Sequence, residues 1–98
     1  MLIKAGVDIS RLNKQIRLTL KTVASIYESL DKTELVVTST YEGTHHSSSL
    51  HYCNDAYDVR LPLSDTHKIL RAIAGALGPD YDVLLELTHM HIEYDKKP

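Results

Sequence analysis

A stripe of apolar residues at helical spacing constrains this chain more than any other feature. Leu12, Ile16, Leu20, Val23, Ala24, Tyr27 and Leu30 recur mainly at steps of three and four, the interval that stacks side chains on one side of an α-helix. Asp8 or Ser10 can cap such a helix at its start. Lys14, Arg17, Lys21 and Glu28 occupy the other face and read as a solvated surface rather than a binding stripe. The stripe needs a partner surface to be buried against, and a chain of 98 residues with 43% hydrophobic composition has enough apolar material for one modest core. A single domain over residues 1–98 is therefore expected, with no repeat and no internal boundary.

The period then changes. After Asp31-Lys32, the run Thr33 to Thr40 is rich in β-branched residues and predicts a strand. The segment from Tyr41 to Ser49 holds Gly43, His45, His46 and three consecutive serines, a loop composition with no packing logic of its own. Tyr57 to Leu61 predicts a second strand, stopped by Pro62, which cannot donate to a sheet ladder. Ser64 can cap a second helix with Ile69, Leu70, Ile73 and Leu77 as its buried stripe, and Gly78-Pro79 can end it. His67, in the first turn and on the polar side, reads as a surface residue. The runs Tyr81 to Leu87 and His89 to Tyr94 predict paired or continuous strands before a charged tail. The order α, β, β, α, β, β points to an α+β fold with a mainly antiparallel sheet and two helices packed on one face.

Charge and cysteine content narrow the functions. A net charge of −2 gives no broad attraction to nucleic acid or to an anionic membrane, so neither is an expected partner. No window approaches the length of a membrane span. The single Cys53 excludes an intramolecular disulfide framework and reads as a small buried hydrophobe rather than a thiolate ligand. The opening Met1-Leu2-Ile3-Lys4-Ala5-Gly6 lacks the pattern of an export signal, so synthesis in a cytosol is expected, and the final location stays open.

Two clusters carry the chemistry. Ser49-Leu50-His51-Tyr52-Cys53-Asn54-Asp55-Ala56-Tyr57-Asp58 spaces an imidazole and a carboxylate across a short turn, and Thr88-His89-Met90-His91-Ile92-Glu93 supplies two more imidazoles. Two neutral imidazoles and one carboxylate form a recurrent zinc set that leaves a fourth position for water, the arrangement a hydrolase needs. Asn54 suits the turn because asparagine tolerates a left-handed backbone. On the following strand Ala56 shares the parity of Asp58, while Tyr57 and Val59 face the other way. His89 and His91 also share one strand face, so one can bind metal while the other stands beside water and substrate. Glu86 is the general base suggested by the residues. Its parity is opposite to both histidines, so a turn or bulge at Leu87-Thr88 is required to bring it to them.

The segments Val37-Thr38, His45-His46-Ser47, Ser49-Leu50-His51-Tyr52, Ala56-x-Asp58 and His89-x-His91 together resemble the hedgehog signalling domain and its bacterial relatives, the zinc D-alanyl-D-alanine carboxypeptidases and phage endolysin peptidases. The likeness runs from Val37 to Tyr94. It implies a metal set of His, six intervening residues, Asp and a distant His, matched by His51, Asp58 and His91. It further implies Zn2+ as the cofactor, a catalytic Glu carried over to Glu86, and a catalytic histidine two residues before the last ligand, carried over to His89. Members with Glu-x-x-His place the ligand three residues after the Glu, which would be His89; the His-x-His pattern favours His91. The implied function is a zinc-dependent peptidase, of carboxypeptidase or endolysin type, acting as a monomer on peptidoglycan stem peptides or a D-Ala-D-Ala-like substrate. The alternative is a non-catalytic zinc-containing binding module of hedgehog-like fold. Arginine at the position that many peptidoglycan-cleaving members use is not apparent near Tyr41, so contacts to a substrate oxyanion would fall to His89 or His46.

Overall fold

The first apolar stripe forms helix, as its period predicts, but in pieces. In the computed structural model, which describes residues 1–40 and 54–98, the stripe comprises α1 (Lys14–Arg17), α2 (Thr19–Ile26) and a π-helical turn over Tyr27–Asp31. It starts later than Asp8 or Ser10 because the Asp8 carboxylate accepts from the Ser10 amide at 2.8 Å, closing a local turn instead of a helix. The interruption at Leu18 coincides with Thr19, whose hydroxyl donates back to the Ile16 carbonyl at 2.6 Å and meets the Tyr57 hydroxyl at 2.8 Å. A threonine bonding to the preceding turn bends a helix. The π turn adds a residue to the last turn and so rotates the register. Leu30, expected in the buried stripe, is left exposed, and Asp31 is carried inward. Lys32 ends the segment in the left-handed region at φ 59°.

The strands are β1 (Leu2–Ile3), β2 (Val36–Ser39), β3 (Ala56–Arg60), β4 (Tyr81–Leu85) and β5 (His89–Tyr94), and they form one sheet in the order β1-β2-β3-β5-β4. The expected mainly antiparallel sheet is instead mixed. β1 pairs with β2 in parallel, while β2–β3, β3–β5 and β5–β4 are antiparallel. A parallel pair needs a long crossover, and the helical segment between Ile3 and Val36 supplies it. A two-residue strand carries no period from which pairing could be read. β2 is also shorter than the run Thr33 to Thr40, because the Thr33 hydroxyl is drawn to Asp31.

The second helix, α3 (Thr66–Leu77), is capped by Asp65, whose carboxylate accepts from the Lys68 amide at 3.1 Å. Ser64 is not the cap, since its amide and hydroxyl both bond to Asp31. Gly78 ends α3 at φ 91°, a backbone conformation that glycine adopts without steric cost. His67 is exposed.

Both helical segments pack on one face of the sheet. Ile16, Leu20, Val23 and Tyr27 from the first and Ile69 and Ile73 from α3 bury against Tyr57, Val59, Met90 and Ile92. Burial pushes the Tyr27 and Tyr57 phenols well above their ordinary value, so both stay neutral as hydrogen-bond partners. Tyr27 donates to the Arg60 carbonyl at 2.7 Å, and Tyr81 donates to the Gln15 carbonyl at 3.0 Å. Among the described residues no helix is long and apolar enough to cross a membrane.

Candidate active site on the sheet face opposite the core

Strand periodicity puts chemistry on one side of the sheet and packing on the other. Tyr57 and Val59 of β3, and Met90 and Ile92 of β5, are fully buried in the core; the alternate residues Ala56, Asp58, Arg60, His89, His91 and Glu93 therefore project from the opposite face. Antiparallel pairing of β3 with β5 brings them together in register: Asp58 lies opposite His91, Arg60 opposite His89, and Ala56 opposite Glu93. At the start of β3, Asn54 is left-handed at φ 60°, the conformation its residue type predicts. In β2 the pairing shifts between Val37 and Ser39, which places Ser39 in register with Asp58. A bulge of this kind bends a strand and re-aims the side chains beside it.

His91 is held between two carboxylates. Its Nδ1 lies 2.9 Å from Asp58 Oδ1 and its Nε2 lies 2.8 Å from Glu93 Oε1. Two ionised acceptors on the two ring nitrogens favour the doubly protonated ring. Burial of His91 works against its charge, but the hydrogen bonds and charges of Asp58 and Glu93 outweigh it and raise the imidazole above its ordinary value. His89 sits further out. Its Nε2 is 3.6 Å from Asp58 Oδ2 and its Nδ1 is 3.1 Å from the Thr88 hydroxyl. Asp58 thus faces both histidines from a site where it is only 6% exposed.

The hairpin between β4 and β5 resolves the parity of Glu86. The Glu86 amide donates to the His89 carbonyl at 2.9 Å, and Leu85 pairs with Met90. Glu86 therefore stands opposite His89, with Leu87 and Thr88 forming the turn between them. Residues opposite one another in an antiparallel pair share a sheet face, so Glu86 belongs to the same face as His89 and His91. Its side chain is exposed.

Of the expected metal set, Asp58 and His91 are brought into contact, and His51 lies outside the described residues, as do His46 and Cys53. Glu93 was not foreseen. Its two-residue offset from His91 on the same strand, the same parity rule that pairs His89 with His91, is the signal that could have found it.

A different group meets the simplest condition for holding a cation. Ligand oxygens of Asp82, Glu93 and Asp95 all lie within 4.8 Å of one another. Lys97 is already there, with its ammonium 3.1 and 3.2 Å from the two Asp82 oxygens and 3.5 Å from Asp95. The cluster therefore carries its own counter-charge. Comparison of the chain with family models, with curated proteins and with solved structures finds no match in any of the three.

Proposed function

We propose that this chain is a zinc-dependent peptidase of the hedgehog and D-alanyl-D-alanine carboxypeptidase type, cleaving an amide bond in peptidoglycan stem peptides. The observation that carries the reading is the side-by-side placement of Asp58 and His91 on one sheet face, with His89 on the same face and Glu86 across the hairpin from it. Ligand atoms around a tetrahedral zinc, each about 2.0–2.1 Å from the metal, stand about 3.3 Å apart. The Asp58–His91 separation of 2.9 Å is within a few tenths of an ångström of that value, which supports this pair as two of the ligands. His51, Asp58 and His91 would hold it.

Bound zinc would supply a Lewis acid that lowers the pKa of a water molecule. Asp58 contributes a negative charge and orients the histidines. Glu86, which shares that face, would be the group that accepts a proton from water and returns it to the leaving amine. His89, nearer to solvent than His91, can donate a hydrogen bond to a substrate carbonyl. His91 must release a proton from Nδ1 to become a ligand, so zinc uptake is expected to release protons.

Two specific features favour variants of this reading. His89 has the less enclosed ring and stands opposite Glu86, which favours it over His91 as the third ligand in the Glu-x-x-His manner. Glu86 is exposed, and no side-chain hydrogen bond positions it among the described residues, which favours a zinc-holding binding module without catalysis. One set of measurements separates them. Protein purified without added zinc should contain stoichiometric metal and melt at lower temperature with chelator. Zinc-loaded wild type should release an amino acid or peptide from stem-peptide or D-Ala-D-Ala substrates, and Glu86→Ala should keep zinc while losing about a hundredfold or more of the rate. Zinc without hydrolysis selects the binding module. Zinc lost in His89→Ala but kept in His91→Ala moves the ligand to His89, and no zinc with unchanged melting overturns the metal reading.

A further inference from the structure

The second nitrogen of His91 is occupied from the opposite side to Asp58. Glu93 lies two residues further along β5, on the same sheet face, and its Oε1 is 2.8 Å from His91 Nε2. The pair is enclosed, with side-chain exposures of 13% for His91 and 15% for Glu93. Glu93 is also next to two further carboxylates, Asp82 and Asp95. Lys97 sits on both, and the backbone carbonyl of Asp95 fixes its ammonium at 2.8 Å. That cation offsets the two outer acids, leaving the Glu93 carboxylate to serve the imidazole.

We propose that Glu93 is a positioning residue that grips His91 by Nε2, so that Nδ1 is the nitrogen turned to Asp58 and presented to the metal. This rests on the zinc reading with His91 as a ligand. The physical reason is that an imidazole has two chemically distinct donor nitrogens, and a hydrogen bond fixed at one determines which is left for the metal. Asp58 Oδ1 and His91 Nδ1 already face one another at 2.9 Å, so a metal between them needs no rotation of the ring. Binding through Nε2 would require either that the ring turn over, breaking its present bond to Glu93, or that the metal sit on the far side, with the Glu93 carboxylate in the position of a ligand in place of Asp58. The inference adds Glu93 to the groups on which metal affinity depends, although it does not touch the metal.

Ring-nitrogen spectra of 15N-labelled protein, read through long-range proton–nitrogen correlations, test it in wild type, Glu93→Ala and Glu93→Gln, with melting curves to establish that each variant is folded. In zinc-loaded wild type, His91 Nδ1 is expected to carry the metal-bound signal and Nε2 the proton. Glu93→Ala should alter the His91 Nε2 signal in the metal-free protein and weaken zinc binding by roughly 10–100-fold. Glu93→Gln, whose amide oxygen can still accept from Nε2, should restore the wild-type ring state and most of the affinity. Zinc on Nε2 of His91, or on His89 in place of His91, overturns the proposal. So does a Glu93→Ala variant with wild-type ring signals and wild-type affinity. If wild type takes up no zinc, the peptidase reading fails by itself, and the metal-free spectra still decide the role of Glu93: unchanged His91 ring signals in Glu93→Ala overturn it.

Discussion

Asp31 and Asp58 are equally hidden, each 6% exposed, yet their surroundings differ in kind. Asp31 is met by neutral donors: the amides of Leu63 and Ser64 at 3.0 and 2.7 Å, and the hydroxyls of Ser64 and Thr33. Burial pushes its carboxyl up, but these bonds together pull it down further, to about 2. It is a fastener that ties the end of the first helical segment to the approach of α3. Asp58 faces two imidazoles, groups that can give up a proton and take a metal. A buried carboxylate saturated by donors that cannot titrate has only a structural use; one that faces titratable partners keeps a chemical option open.

The largest test of this contrast is substitution. Asp31→Ala leaves four donors without their acceptor and should cost about 3–4 kcal/mol. In a domain of this size that is a fall of roughly 15 °C or more in melting temperature. Asp58→Asn keeps an acceptor for the His91 ring and should cost only about 1 kcal/mol, and under the proposed zinc reading it should abolish metal uptake. Calorimetry and elemental analysis on the two variants decide the matter. The contrast breaks if Asp58→Asn is the less stable protein, or if folded Asp31→Ala is the one that loses metal.

Acid and base should act on the two sites in opposite directions. The folded-state value of Asp31 is depressed from 3.8, so its contribution is complete above the unfolded value and is lost as pH falls towards about 2, an effect of about 2 kcal/mol. The folded-state value of His91 is raised above 6.5. Its contribution in metal-free protein is complete below 6.5 and is lost as pH rises through the higher folded value. Urea melts across the pH range should therefore show an acid limb that Asp31→Asn flattens and a neutral-to-alkaline limb that His91→Gln flattens. An acid limb unchanged by Asp31→Asn would show that other carboxylates govern it.

The smallest effect belongs to Asp65. Its single bond to the Lys68 amide is an ordinary N-cap, and Asp65→Ala should cost about 1 kcal/mol, without altering zinc content or the His91 ring signals. A larger loss, or any change at the site, would mean that α3 is coupled to the sheet more tightly than its capping bond implies.

Local rules made several elements readable in advance. The helical stripe, the two-residue alternation that turns Tyr57 and Val59 inward and Asp58 outward, and the turn tendency of Asn54 all follow from interactions within a few residues of each other. The same alternation puts His89 and His91 on one face. What depends on contacts distant along the chain was not readable. Ser64 could cap α3 on local grounds, but Asp31, 33 positions earlier, claims both its amide and its hydroxyl. Leu30 fitted the stripe until the π turn traded it for Asp31.

The sequence alone determined the succession of helix and strand after β1, the polarity of most of these elements and the residue types available for chemistry, because periodicity and backbone preference act locally. Only the tertiary structure decided that β1 joins in parallel, that Asp58 lies opposite His91, that the hairpin at Leu87-Thr88 brings Glu86 to the face of His89, and that Glu93 holds the far side of the imidazole. Each of these is a choice of strand partner or register, and a shift of one residue would reverse the face of every side chain on a strand. No local preference fixes such a choice; it is set by how the whole core packs.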